Sequence, residues 1–278
     1  MGRLDRRRFL KRVGAAGALG GAAVFGGRDL VRAQGPHSDH SRHAMQHGDH
    51  GAVGRVNHLR NGFDPSDILT DFDGGEVSKD FTGRTVREYE FVAIDKEIEI
   101  APGIFFPAWT YNGRVPGPTI RATEGDRIRI RFTNTGGHPH TIHFHGIHPA
   151  RMDGVPGAGE IRTGETFVYD FIAEPFGTHL YHCHSVPLAQ HIHRGLYGGF
   201  IVDPKGGRPD ANEMVLVMNA FDPNFDGENE VYAVNTVAFA YMVEPIPIER
   251  GRLQRAHVIN ITEFDPLNSI HIHANFFL

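Results

Sequence analysis

Gly and Pro punctuate the chain from Pro102-Gly103 to Gly206-Gly207 at intervals of about 8–12 residues, and no other feature limits the fold so tightly. Asn112-Gly113, Pro116-Gly117-Pro118, Gly136-Gly137, Gly157 and Gly164 are among the breaks. Between them apolar and polar residues alternate: Ile98 and Ile100, then Ile128, Ile130 and Phe132 set among arginines, then Phe167, Tyr169 and Phe171. Ile201–Val202 and Met214–Met218 continue the pattern. Segments this short leave no room for a long helix, and a period of two buries one face of each segment. An all-β sandwich or barrel follows, with one or two helical turns over Pro187–Arg194 as the exception.

A length of 278 residues allows one large or two ordinary domains, and an internal repeat favours two. Asn112, Pro118, Ile120, Gly125, Asn134 and His143-x-His145 are echoed by Asn235, Pro247-Ile248, Gly251, Asn260 and His271-x-His273. We assign residues 86–205 to a first β domain and 212–278 to a second, partial one. The second copy stops at Leu278 inside the apolar, strand-like Asn275-Phe276-Phe277-Leu278. The expectation is a chain cut short at its C-terminal end.

The N-terminal residues read as an address. Arg6-Arg7-Arg8-Phe9-Leu10-Lys11 precedes a Gly/Ala-rich apolar run from Val13 to Phe25, and Ala33 closes a set of small residues. This looks like a twin-arginine signal peptide over residues 1–33, too short and too weakly apolar to span a bilayer. It predicts a periplasmic or secreted protein starting at Gln34. Residues 34–85 follow as a tail and linker expected to be disordered, since His37, His40, His43, His47 and His50 stand among Ser, Asp, Gln and Gly with little to bury. Imidazoles at that density can capture soft divalent metals; the alternative is a solvated linker whose histidines have no role.

The chain carries 33 acidic against 28 basic side chains, a net charge of −5. With no Lys/Arg block past the extreme N-terminus, nucleic acid is excluded as a partner. One Cys among 19 His excludes an internal disulfide and any multi-Cys zinc site. That Cys sits in His182-Cys183-His184, and two further pairs, His143-Phe144-His145 and His271-Ile272-His273, share the spacing. On a strand residues i and i+2 point to one face, so each pair projects two imidazoles together. Cys183 then faces the other way, a thiolate behind two imidazoles. Thiolate with imidazole favours copper, zinc or iron, and a His₂Cys set with a weak axial position is the blue-copper arrangement.

His140, three residues before His143, His191, eight after Cys183, and Leu196 complete such a set. With them, and with NGRVPGPTI, HTIHFHGIH, DGVPG, GTHLYHCH and HIHRGLYGGFIVDP, the span Glu88–Leu278 resembles the multicopper oxidases, in particular the two-domain, laccase-like type with blue copper in its first domain. The resemblance implies tandem cupredoxin-like Greek-key β-sandwiches, the second incomplete. It implies a type 1 copper held by His140, Cys183 and His191 with Leu196 at the axial place. Leucine cannot ligate, which favours the cuprous state and a high potential. It further implies a trinuclear cluster of type 2 and type 3 copper: His143 matches a type 2 ligand, His145, His182 and His184 type 3 ligands, and His271 and His273 one of each from the second domain. Asn268 stands where a second blue site would need His. No fourth His-x-His pair precedes Leu278, leaving six of the eight cluster imidazoles the family uses. Asp153 matches a catalytic carboxylate near the type 2 copper, placed to relay protons to bound oxygen. His138, His148, His179 and His193 fit no ligand position and read as surface or supporting groups; His58 and His257 read as ordinary.

The function so implied is oxidation of a phenol, aromatic amine or metal ion, one electron at a time, coupled to reduction of O₂ to water, in a homotrimer with the cluster between subunits. Three alternatives stand beside it. A copper nitrite reductase-like enzyme needs one type 2 copper, and the doubled His-x-His pairs argue against it. The Cys183 motif and the repeat disfavour a cupin-like barrel. A copper-sequestering protein would use the His-rich tail and consume no oxygen. Six Met and no obvious carboxylate cluster give no support for a dedicated cuprous or ferrous oxidase.

Overall fold

A computed structural model of the protein describes residues 53–264 and 269–272. Residues 1–33, expected to act as an export signal, the five-histidine stretch His37–His50, Asn268 and His273 lie outside them. Among the described residues the architecture is thirteen strands with four short α-helices, the longest being Leu188–His193, inside the segment where helical turns are expected. No helix among them is long and apolar enough to cross a membrane.

Two five-stranded sheets form the first domain. One runs β1 (Phe72–Asp73), β5 (Thr119–Thr123), β10 (Tyr197–Asp203), β9 (Gly177–His182), β7 (His143–Phe144). The other runs β2 (Glu76–Lys79), β3 (Thr85–Ala101), β6 (Arg127–Asn134), β8 (Thr166–Ile172), with β4 (Ile104–Tyr111) paired to the second half of β3. The alternation in β6 is explicit: Ile128, Ile130 and Phe132 are fully buried while Arg129 and Arg131 face solvent. Phe91, Tyr111, Phe132, Phe144, Tyr169, Tyr181 and Phe200 fill the space between the sheets. Each such ring contributes about 1.5–3 kcal/mol by leaving water.

The second domain is a three-stranded sheet, β12 (Val231–Val234), β11 (Asn212–Phe221), β13 (Gln254–Asn260). It repeats the first domain in register. Parallel β3 and β6 end by pairing Ala93 with Asn134, and parallel β11 and β13 end by pairing Met218 with Asn260. The repeated asparagines are equivalent to the atom. Asn112 has φ 55°, accepts from Val92 N and donates to Glu90 O; Asn235 has φ 55°, accepts from Val217 N and donates to Val215 O. Asparagine tolerates the left-handed region, and its amide closes a turn by imitating a strand neighbour.

A second core, with Ile98, Ile100, Phe106, Tyr197, Val215, Val217, Phe221 and Ile259, joins the two domains. β10 is therefore buried on both faces. Gly199 sits where the domains pack tightly, since a Cβ there would meet Ile259 Cδ1 at 3.0 Å and Val215 Cγ2 at 3.6 Å.

The linker expected through residue 85 requires correction from Asn57 onward. Helices His58–Asn61 and Pro65–Ile68 form there, β1 adds to β5 and β2 adds to β3. Val56, Ile68 and Leu69 are buried, and Asn61 is fully buried with its amide paired to the Glu99 main chain at 2.8 and 2.9 Å. The polar composition hid a segment that is ordered by main-chain pairing to a neighbouring sheet instead of by an apolar face of its own.

Candidate metal centre

Strand pairing assembles the site. β7 runs antiparallel to β9 with His143 opposite His182 and Phe144 opposite Tyr181. That register lays His143-x-His145 beside His182-Cys183-His184. Because side chains alternate, Phe144 and Cys183 turn into the first core while the imidazoles stay on the other face. Beyond Cys183 the helix Leu188–His193 brings His191 back, and the loop closes where Cys183 N donates to Leu196 O at 2.9 Å.

On the core side, His140, Cys183 and His191 are buried together. Cys183 Sγ lies 3.2 Å from His191 Nδ1, and His140 Nδ1 lies 3.3 Å from the same atom. Thr141 holds the sulfur, its amide at 3.4 Å and its hydroxyl at 3.6 Å, and the same hydroxyl accepts from His184 N at 2.6 Å. Leu196 is fully buried in that core, and its amide donates to His191 O at 3.4 Å. Burial, reinforced by His191 and His138, pushes His140 down to about 3; burial with His138 pushes His191 down to about 4. Burial pushes the Cys183 thiol up against the hydrogen bonds it receives. The shifts favour neutral imidazoles, whose nitrogens could coordinate a metal, and the thiol would give up its proton on binding one.

On the other face the ligand atoms of His143, His145 and His182 lie within 4.8 Å of one another, as do those of His143, Asp153 and His184. The tautomers are set by main-chain acceptors: His143 Nδ1 donates to Asp153 O at 2.7 Å, and His182 Nδ1 to Cys183 O at 2.8 Å. Each ring keeps Nε2 for a metal. His184 Nδ1 is buried without a hydrogen-bond partner. Burial above all lowers the His143 pKa and takes His182 down to about 4. Asp153 Oδ1 lies 3.1 Å from His143 Nδ1 and 3.4 Å from His148 Nε2.

Of the ten expected metal positions, the structure brings eight into these two groups or their shared loop. His271 is exposed and belongs to neither group; His273 lies outside the described residues. Of three further participants, His148 and His193 read in the sequence only as surface or supporting groups, and Trp109 carries no signal there. His148 has its ring 4.5 Å from that of His143 and reaches Asp153, so it is a supporting group and not a surface one. Trp109, the chain's single tryptophan, packs 5.3 Å from the His140 ring and 4.8 Å from the His191 ring. His193 is buried at the end of the ligand helix. Only tertiary pairing brings Trp109 there, whereas proximity to His145 in the same loop was a usable signal for His148.

Comparison with known proteins agrees with this geometry. Residues 95–207 match the multicopper oxidase family profile. A solved structure described as a multicopper oxidase is 57% identical with a TM-score of 0.78, the match covering 80% of this chain and 79% of that one. The copper-containing nitrite reductase of Neisseria meningitidis is 30% identical over 148 residues, 52% of this chain and 37% of its own. Copper resistance protein A of Escherichia coli is 39% identical over 123 residues, 42% of this chain and 20% of its own. The chain therefore matches well under half the length of these curated relatives. The twofold β repeat, the buried His₂Cys triad with four imidazoles behind it, and 57% identity across four fifths of a solved relative place the chain in the multicopper oxidase family.

Proposed function

We propose that this chain is an oxidase that takes single electrons from a reducing substrate at the His140–Cys183–His191 triad and delivers them to O₂ at the His143, His145, His182 and His184 face. One observation carries the reading: Cys183 belongs to the first group while its sequence neighbours His182 and His184 belong to the second. Two metal-binding faces are thus joined by a few covalent bonds. The donor atoms fit copper, with neutral imidazoles and a thiol converging in a dry pocket on one side and imidazoles with defined tautomers on the other. Bound copper supplies one-electron redox chemistry and activation of O₂. The chain's residues do the rest. Thr141 donates twice to the sulfur and ties it to His184, Leu196 closes the loop without offering a donor atom, and Asp153 holds a carboxylate oxygen beside His143 Nδ1 where a proton can be passed.

The nitrite reductase alternative draws on a relative of that name at 30% identity. The convergence of four imidazoles behind Cys183 favours the oxidase, since a single type 2 copper needs fewer. Our reading extends to export by the twin-arginine route, to His271 and His273 as ligands supplied to a neighbouring subunit's first domain, and to a homotrimer built in that way. The exposure of His271 supports it. Phenols, aromatic amines or metal ions are the donors proposed.

Oxygen consumption by copper-loaded protein with a phenolic donor tests the proposal. Donor-dependent uptake of one O₂ per four donor electrons, without peroxide, supports it. Nitrite reduction with no oxygen uptake, or copper binding with neither activity, overturns it.

A further inference from the structure

His193 fits no ligand position, yet it is 5% exposed and deliberately held. It is the last residue of the helix that carries His191. Its Nε2 accepts the amide of Asp222, at 2.8 Å, from the loop that follows β11 in the second domain. Its ring packs against Phe106, Phe225 and Phe264, with centroids at 5.5, 6.3 and 4.9 Å. The next residue makes a second attachment to the same loop. The Arg194 guanidinium lies 4.2 Å from the Phe225 ring and 5.3 Å from that of Trp109, and Arg194 O accepts Trp109 N at 2.9 Å.

The loop is built for that contact. The Asp222 carboxylate accepts the amides of Asp226 at 3.2 Å and Gly227 at 2.8 Å, and the Asn224 amide bridges Asp226 and Glu230 at 3.1 and 3.0 Å. These bonds fix the direction in which the Asp222 amide points. Phe225 adopts φ 61°, a conformation that strains a non-glycine residue and persists where its surroundings over-determine it. Its ring stays 46% exposed, so burial alone does not account for the strain. What the conformation achieves is to lay the ring on Arg194.

We propose that the Asp222–Glu230 loop is a clamp on the ligand helix, and that His193 is a positioning residue through which the second domain fixes His191 in the His140–Cys183–His191 triad. The inference rests on the reading of that triad as the type 1 copper site, and it makes the second domain a structural part of a site whose ligands all lie in the first.

The test uses His193→Phe, which keeps an aromatic ring and removes the acceptor, His193→Gln, which restores an acceptor near the Nε2 position, and Phe225→Gly, which suits a positive φ and removes the ring from Arg194. Copper(II) titration followed by the thiolate-to-copper absorption and EPR should show type 1 affinity about tenfold weaker in His193→Phe and Phe225→Gly, the loss of one buried hydrogen bond or its equivalent. His193→Gln should stay within about twofold of the parent, and non-blue copper signals should not move. In metal-free protein the emission of Trp109, bonded to Arg194 and packed on His191, should shift in His193→Phe. Unchanged titrations and spectra in both disruptive variants overturn the clamp, as does a His193→Gln variant as weak as His193→Phe. A parent protein with no blue absorption refutes the ligand reading instead; the clamp is then judged on metal-free Trp109 emission alone, and identical emission in parent and His193→Phe overturns it.

Discussion

At the residue scale the site was unusually legible because its ligands come in local spacings. A strand's period of two forces His182 and His184 to one side and Cys183 to the other, and the structure places them so. What spacing could not show is the supporting layer. Trp109 reaches the ligand rings, and Asp222 the ligand helix, through folding alone. Thr141→Val removes the hydroxyl that approaches the thiolate and leaves the amide, so the type 1 potential should fall by tens of millivolts, since donors to sulfur favour the reduced, more negative centre. A redox titration checks it, and an unchanged potential would show the hydroxyl has no electrostatic part. Leu196→Met should lower the potential by adding a thioether donor at the axial place, read in the same titration. His143→Ala should keep the blue absorption and abolish oxygen uptake. The buried imidazoles also set a pH dependence. His140, His182, His191 and His193 have folded-state values of about 3 or 4, below the 6.5 of the unfolded chain, so between those limits the unfolded chain binds more protons. The metal-free protein is therefore most stable above about pH 6.5 and loses stability as pH falls toward 4. Urea midpoints at pH 7 and pH 5 should differ in that direction; equal midpoints would mean the imidazoles are not desolvated.

At the element scale, alternation and Gly/Pro punctuation exposed the long strands, and the repeated asparagines exposed the relation between domains. The pieces that escaped are those ordered by pairing with something already built: β1, β2 and the helices before them. Asn61 is the test of that explanation. Its buried amide completes the Glu99 main chain, and Asn61→Ala should cost about 1–3 kcal/mol in unfolding free energy through the groups left unpaired. A loss below 0.5 kcal/mol, an order-of-magnitude bound for an exposed polar change, would return the segment to the status of a loose linker. Gly199 tests the join between domains. Gly199→Val would drive methyl groups into Ile259 and Val215 and should destabilise by about 1–3 kcal/mol. The corresponding change at Gly206, which has open space around it, should be nearly neutral.

At the scale of the whole molecule, the first domain holds two metal faces across one cysteine, and the second domain, related to it by a repeat, braces it. Two-domain organisation could be read from the repeat; the bracing could not, because it depends on Asp222 and Phe225 meeting His193 and Arg194 across a fold boundary. The central claim is the division of labour at Cys183, and the most direct measurement is the copper content with visible and EPR spectra of the copper-loaded protein beside Cys183→Ser. The account predicts an intense thiolate-to-copper band and a blue EPR signal in the parent, together with further copper of non-blue character. In Cys183→Ser the band should vanish while the non-blue copper stays. Persistence of the band in Cys183→Ser, or one blue copper and nothing else in the parent, would contradict it.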